Sequence, residues 1–164
     1  NERYADTWFR ANINNPKMEY FYGSVGMQFT ITTDAPYAYS DQKIININFK
    51  ANEVLETLYV DNDEEMPVYP TLTITPSSGG EIVIKNLSLP DKDNTLSIKN
   101  CSAGETITLD CATPLVVSSN QNHNVYNDFN KWWFYLVDGY NRITVNKDCV
   151  LKLEYREYRK VGIV

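Results

Sequence analysis

Ile143-Thr144-Val145-Asn146 and Leu151-Lys152-Leu153-Glu154-Tyr155-Arg156 decide the fold. In the first run Ile143 and Val145 alternate with Thr144 and Asn146; in the second, Leu151, Leu153 and Tyr155 alternate with Lys152, Glu154 and Arg156. A period of two places each apolar set on one face of a strand. The loop Leu136-Val137-Asp138-Gly139-Tyr140-Asn141 leads into the pair, and the unit reads as the closing hairpin of a β-sandwich.

The same alternation recurs upstream. Val25, Met27, Phe29 and Ile31 form one set, Ile45, Ile47 and Phe49 another, and Leu72 and Ile74, Ile82 and Ile84, Leu96 and Ile98, and Ile107, Leu109 and Cys111 follow. Between them stand Gly23-Ser24, Ser77-Ser78-Gly79-Gly80, Asp91-Lys92-Asp93-Asn94 and Ala103-Gly104, residues that tolerate tight or left-handed backbone. Short strands at this spacing predict an all-β antiparallel sandwich. Glu53 to Val60 fits neither period cleanly and is assigned as strand. Asn120 to Asn130 is polar and asparagine-rich; Phe129, Trp132, Trp133 and Leu136 follow at helical spacing with Asp128 as candidate cap, so at most one short helical turn is expected there.

The stretch Thr33-Asp34-Ala35-Pro36-Tyr37-Ala38-Tyr39-Ser40-Asp41 is a seam, because proline holds its predecessor extended and the Asp and Ser favour turns. It divides residues 1–34, which offer one hairpin around Lys17–Tyr22 and Val25–Thr33, from a sandwich over 35–164. A lone hairpin is marginal without further sheet to pair with.

Composition narrows the function. A chain of 164 residues can bury roughly 70% of its unfolded surface. Fifteen Lys and Arg against 21 Asp and Glu give a net charge of −6 with no basic cluster, which argues against nucleic acid as partner. No apolar run approaches the roughly 20 residues a membrane helix needs, and the N-terminus lacks a signal pattern, so a soluble chain is expected. Cys101, Cys111 and Cys149 show no metal-binding spacing. Cys111 is in phase with Ile107 and Leu109, as a buried thiol would be, and a Cys101–Cys111 bridge across a hairpin stays open.

Catalytic constellations are weak. His123 is the only histidine, expected exposed in the asparagine-rich loop with no orienting carboxylate nearby in sequence and no G-x-S-x-G elbow. Glu154 should face solvent on its strand, where a carboxylate keeps an ordinary pKa; pairings with Glu157, or of Asp128 with Asp138, have nothing else to recommend them. Asp61-Asn62-Asp63-Glu64-Glu65 is oxygen-rich enough for calcium, but Met66 and Pro67 stand where an EF-hand would need glycine, which favours a solvated turn. Two sequons, Asn86-Leu87-Ser88 and Asn100-Cys101-Ser102, are near chance frequency. No cofactor or metal site is expected.

The 12 tyrosines and the run Trp132-Trp133-Phe134-Tyr135 are more telling. Four consecutive aromatics cannot all point one way, so about two should enter the core and the others reach a surface, as sugar-stacking rings or as a protein contact. Trp132, Trp133, Tyr135, Tyr37 and Tyr39 are therefore the candidate ligand or interface positions.

Ala35 to Asp41, Tyr69-Pro70-Thr71-Leu72-Thr73-Ile74, Gly104-Glu105-Thr106-Ile107-Thr108-Leu109-Asp110 and the ending from Trp132 to Gly162 resemble, in order, pieces of the distal tail proteins of long non-contractile-tailed phages. The resemblance implies a galectin-like sandwich, of a jelly-roll shape shared with carbohydrate-binding modules, on the outside of a ring at the tail tip. Residues 1–34 would be the closing hairpin of the ring-forming domain. It also implies a non-enzymatic virion protein, made in the host cytoplasm. Such a hub joins tail tube, tail-tip and receptor-binding components and forms a homo-oligomeric ring at full length. It transfers no motif residue as a site. A module recognising cell-wall glycans through Trp132–Tyr135 is the competing reading.

Overall fold

The computed structural model describes residues 6–63 and 66–160. The strands run β1 (Thr7–Trp8), β2 (Ala11–Phe21), β3 (Ser24–Thr33), β4 (Ala38–Ser40), β5 (Lys43–Phe49), β6 (Val54–Val60), β7 (Thr71–Pro76), β8 (Gly80–Asn86), β9 (Thr95–Cys101), β10 (Ile107–Asp110), β11 (Leu115–Ser118), β12 (Gly139–Val145), β13 (Cys149–Tyr155) and β14 (Tyr158–Arg159). A one-turn helix, α1 (Val125–Asp128), and a 3-10 turn at Asp91–Asp93 interrupt them.

The expected all-β antiparallel sandwich is what forms. One layer has the order β11-β10-β7-β13-β5 and the other β6-β12-β8-β9. The hairpin β12–β13 straddles both, so each of its strands anchors one layer. In β13, Leu151 faces Ile47 on one side and Ile74 on the other, with all three pointing inward. Leu72, Ile74, Ile82, Ile84, Leu96, Ile98, Ile107, Leu109, Ile143 and Leu151 are all at 0% exposure. Each such side chain contributes roughly 1.5–3 kcal/mol relative to leaving it in water.

The broken period of Glu53–Val60 has a local cause. Asn141 faces Leu58 and Ile143 faces Leu55, with a register shift between them that inserts a residue and rotates the later side chains of β6. Gly139 opens β12 at φ +83°, a backbone that side chains other than glycine's rarely adopt. The helical turn ends at Asp128 instead of following it. Its cap is Asn124, whose side chain accepts the Asn127 N–H, and Trp132 to Leu136 run irregularly, as the alternation of Phe134 and Leu136 into the core requires.

Cys101, Cys111 and Cys149 are free and buried, so no bridge joins the first two. Burial pushes the Cys111 thiol up to about 12 and those of Cys101 and Cys149 to about 11. Asn86 is fully buried, which removes it as a glycosylation acceptor.

Two further assemblies lie outside the sandwich layers. β1, β4 and β14 form a three-stranded sheet that brings the seam against the end of the chain. Among the described residues β2 and β3 pair only with each other, as a two-stranded arm. Ile13 faces Ile31, Met18 faces Met27 and Tyr20 faces Val25, while Asn12–Thr32, Asn14–Thr30 and Lys17–Gln28 occupy the other face. The arm is amphipathic, and its apolar face is uncovered: Ile13, Met18, Tyr20, Val25, Met27, Phe29 and Ile31 range from 45% to 77% exposed.

Candidate interaction surface

The seam brings the first aromatic group together. β4 lies between β1 and β14, with Trp8 opposite Tyr39 and Tyr39 opposite Tyr158. Cross-strand pairing sets the rings in contact, Trp8 at 5.1 Å and Tyr158 at 5.9 Å from Tyr39 between centroids. Tyr37 packs on Tyr158 at 4.6 Å and meets the Tyr39 ring edge-on at 5.5 Å. The Arg156 guanidinium lies 4.8 Å over the Trp8 ring, a cation–π contact.

The second group is held by buried amides. Asn86 and Asn141 are at 0% exposure, and the Asn86 Nδ2 donates to Asn141 Oδ1 at 2.9 Å and to the Tyr135 carbonyl at 3.1 Å. Asn141 accepts the Val137 N–H and donates to the Val137 carbonyl. These bonds replace the ladder that the irregular segment lacks, as a buried backbone demands. From that support Phe134 enters the core, while Trp132, Trp133 and Tyr135 remain half-buried. Trp133 meets Phe129 edge-on at 4.9 Å, and Trp132 lies 5.7 Å from Tyr135.

Tyr69 joins the groups. Its ring is 5.9 Å from Tyr135, and with Ala112 it lines two adjoining hollows. The first also takes Arg10, Tyr39, Asp110, Glu154, Arg156 and Tyr158; the second takes Pro114, Trp132, Trp133 and Tyr135. Of the five positions singled out from sequence, Tyr39, Trp132, Trp133 and Tyr135 line this one band, and Tyr37 props it from behind against Tyr39 and Tyr158.

Trp8, Tyr69 and Tyr158 were missed, because only the pairing of distant strands brings them there; the visible hint was Tyr69-Pro70 at the head of an alternating run. Burial raises the phenols of Tyr39, Tyr135 and Tyr158, with neighbouring tyrosines or an aspartate adding to it, so the rings are neutral and the band's charge comes from its arginines and carboxylates. Burial alone would push the Asp110 carboxyl up, but the Thr113 hydroxyl and the Thr113 and Ala112 N–H groups outweigh it and hold it low.

His123 departs from expectation. Its side chain is 3% exposed, with Nδ1 2.5 Å from Glu105 Oε1 and Nε2 3.2 Å from Asp128 Oδ2. Turn bonds from His123 N–H to the Asn120 carbonyl and from Asn122 N–H to Asn120 Oδ1 fold the loop back, bringing in carboxylates that are remote in sequence or across α1. The Ser118 hydroxyl donates to Glu105, not to the ring, so nucleophile-to-base geometry is not built. Burial pushes the Glu105 carboxyl up, and the Ser118 hydroxyl, the Ser102 N–H and His123 outweigh it, leaving it below the ordinary range.

The acidic run is also structural where it is described; Glu64 and Glu65 lie outside the described residues. The Asn62 N–H donates to Asp138 and its Oδ1 accepts the Tyr158 N–H. Among the described residues no group of three or more His, Cys, Asp or Glu side chains is placed to hold a metal. Glu154, expected to face solvent, is only partly exposed, whereas Glu157 is fully buried.

Comparison with known proteins gives this surface a context. The model of the family described as phage tail C-terminal domain matches residues 37–155, well over half of the 164. The chain belongs to that family. It is 25% identical over 121 residues to the SPbeta prophage-derived uncharacterized protein YomH of Bacillus subtilis strain 168, covering 74% of this chain and 47% of YomH.

The phage tail chain also shares its fold with the crystal structure of SPP1 Dit (gp 19.1). That protein is described as a paradigm of the hub adsorption apparatus in phages infecting Gram-positive bacteria. The TM-score is 0.64 at 11% identity, over 93% of this chain and 61% of that one. The chain thus spans about half the length of its curated relative and under two thirds of the solved one.

Proposed function

We propose that this chain is part of a non-enzymatic distal tail hub of a phage or prophage, acting at the tail tip through protein–protein contacts. Residues 1–34 are the closing hairpin of a ring-forming domain, and 35–164 are the sandwich carried outside that ring. The observation that carries this reading is the arm. Seven apolar side chains on one face of a two-stranded ribbon are a surface built to be covered, since single ribbons are not stable alone and contiguous apolar patches mark contacts.

The fold shared with the SPP1 hub protein along nearly the whole chain supports the same reading. The partners are then tail tube, tail-tip and receptor-binding proteins, with the full-length protein forming a homo-oligomeric ring in the virion. The closed packing of His123 among Glu105 and Asp128 supports a role without catalysis.

Particles purified after prophage or phage growth, probed by mass spectrometry and by antibody labelling in the electron microscope, test the proposal. It expects the protein in the particle with label at the tail tip; a protein absent from particles overturns it. Titration with host wall polysaccharide addresses the competing glycan role. Saturable binding lost on Trp132→Ala would move the aromatic band from protein partners to sugar.

A further inference from the structure

We infer that residues Tyr37–Asp41 and Arg156–Arg159 form a rigid, ion-locked joint that fixes the direction in which the β2–β3 arm leaves the sandwich. A flexible tether would keep its polar groups in water; here they are consumed internally. Ser40 is bonded on every side. Its N–H donates to the Glu157 carbonyl at 2.9 Å, its Oγ accepts the Glu157 N–H at 2.9 Å, and its carbonyl accepts Trp8 Nε1 at 3.2 Å and Arg156 Nη1 at 3.1 Å.

Behind it lies the Glu157 carboxylate, at 0% side-chain exposure, which receives Lys43 Nζ at 2.5 Å, the Asp61 N–H at 3.0 Å and Arg159 Nη2 at 2.7 Å. Arg159 also donates to the Asp61 carbonyl. A carboxylate so deep is tolerated only while its donors stay in place, so moving the joint means uncovering a buried charge. Three segments supply those donors, β5, the 61–63 turn and β14, and the joint therefore ties the arm's exit to both sandwich layers. The seam contains no glycine and one proline, which is stiff composition. The Tyr37, Tyr39, Tyr158 and Trp8 rings pack over the same strands.

This inference goes beyond the tail-hub reading and stands or falls separately from it, because it concerns geometry inside one chain. The test is a distance distribution between nitroxide labels by pulsed electron resonance. Labels go on Thr32→Cys at the base of the arm and Lys99→Cys on the exposed side of β9. The native cysteines, buried and with raised thiol pKa values, stay unlabelled.

The joint predicts one narrow distribution that at least doubles in width on Glu157→Gln. If Glu157→Gln unfolds the sandwich, judged by loss of its Trp fluorescence position, Ser40→Ala serves instead and should broaden the distribution in a folded chain. Lys50→Gln, at an exposed pair remote from the joint, should leave it unchanged. A broad distribution in the parent chain, or a width unmoved by Glu157→Gln and Ser40→Ala in folded protein, overturns the inference.

Discussion

The arm and the sandwich are written in the same alternating code and end differently. In β7, Leu72 and Ile74 are at 0% exposure; in β3, Met27, Phe29 and Ile31 are 63%, 45% and 61% exposed. Alternation specifies a strand and an apolar face, but what covers that face is supplied elsewhere, by a second layer for β7 and, among the described residues, by nothing for β3. The sandwich is therefore the part whose apolar residues the fold buries, and the arm the part whose apolar residues it leaves exposed.

The contrast can be broken most forcefully in the core. Leu72→Ala should destabilise the chain by about 2–5 kcal/mol in denaturant unfolding, as expected for a cavity in a filled layer. Next comes the amide support of the aromatic band. Asn86→Ala leaves Asn141 and the Tyr135 carbonyl without their buried donor, an expected loss of about 1–3 kcal/mol, accompanied by a red shift of Trp132 and Trp133 fluorescence as their segment loosens.

Acid and alkali should both act on the sandwich. Glu105 is held below its ordinary range, so its contribution is complete above the unfolded value and is lost as pH falls through the folded one. Glu105→Gln should flatten that acid limb in a pH series of melting temperatures. Cys101 and Cys149 near 11, Cys111 near 12 and Tyr155 near 12 stay protonated in the fold when the unfolded groups have ionised. Stability should accordingly fall as pH rises from about 9, the ordinary thiol range, toward 12. Smallest of all, Ile31→Ala in the arm should change unfolding of this chain by less than about 0.5 kcal/mol, because its side chain is already in water.

How much of this was legible depends on how local each cause is. The alternation at Ile82 and Ile84 or Leu151 and Leu153 needs only adjacent residues, and it located the sandwich strands and their inward faces. β6 was blurred because its register is set by a bulge opposite Asn141, on a strand far along the chain. The fate of His123 was hidden because Glu105 reaches it through folding of the loop against the β10–β11 hairpin, which no spacing rule encodes. Trp132, Trp133 and Tyr135 announced themselves by clustering, whereas Trp8 and Tyr158 joined Tyr39 only through the β1-β4-β14 sheet. The burial of Glu157 three residues from partly exposed Glu154 had no signal in the pattern, since it follows from the seam docking onto the end of β13.

In the proposed role the molecule works through surfaces that partners cover, first among them the apolar face of the arm. Electron cryomicroscopy of intact tail tips carrying the protein examines that face directly. The proposed role predicts Ile13, Met18, Met27, Phe29 and Ile31 packed under neighbouring protein density with the sandwich standing outside; those side chains facing open solvent in the assembled tip would overturn it.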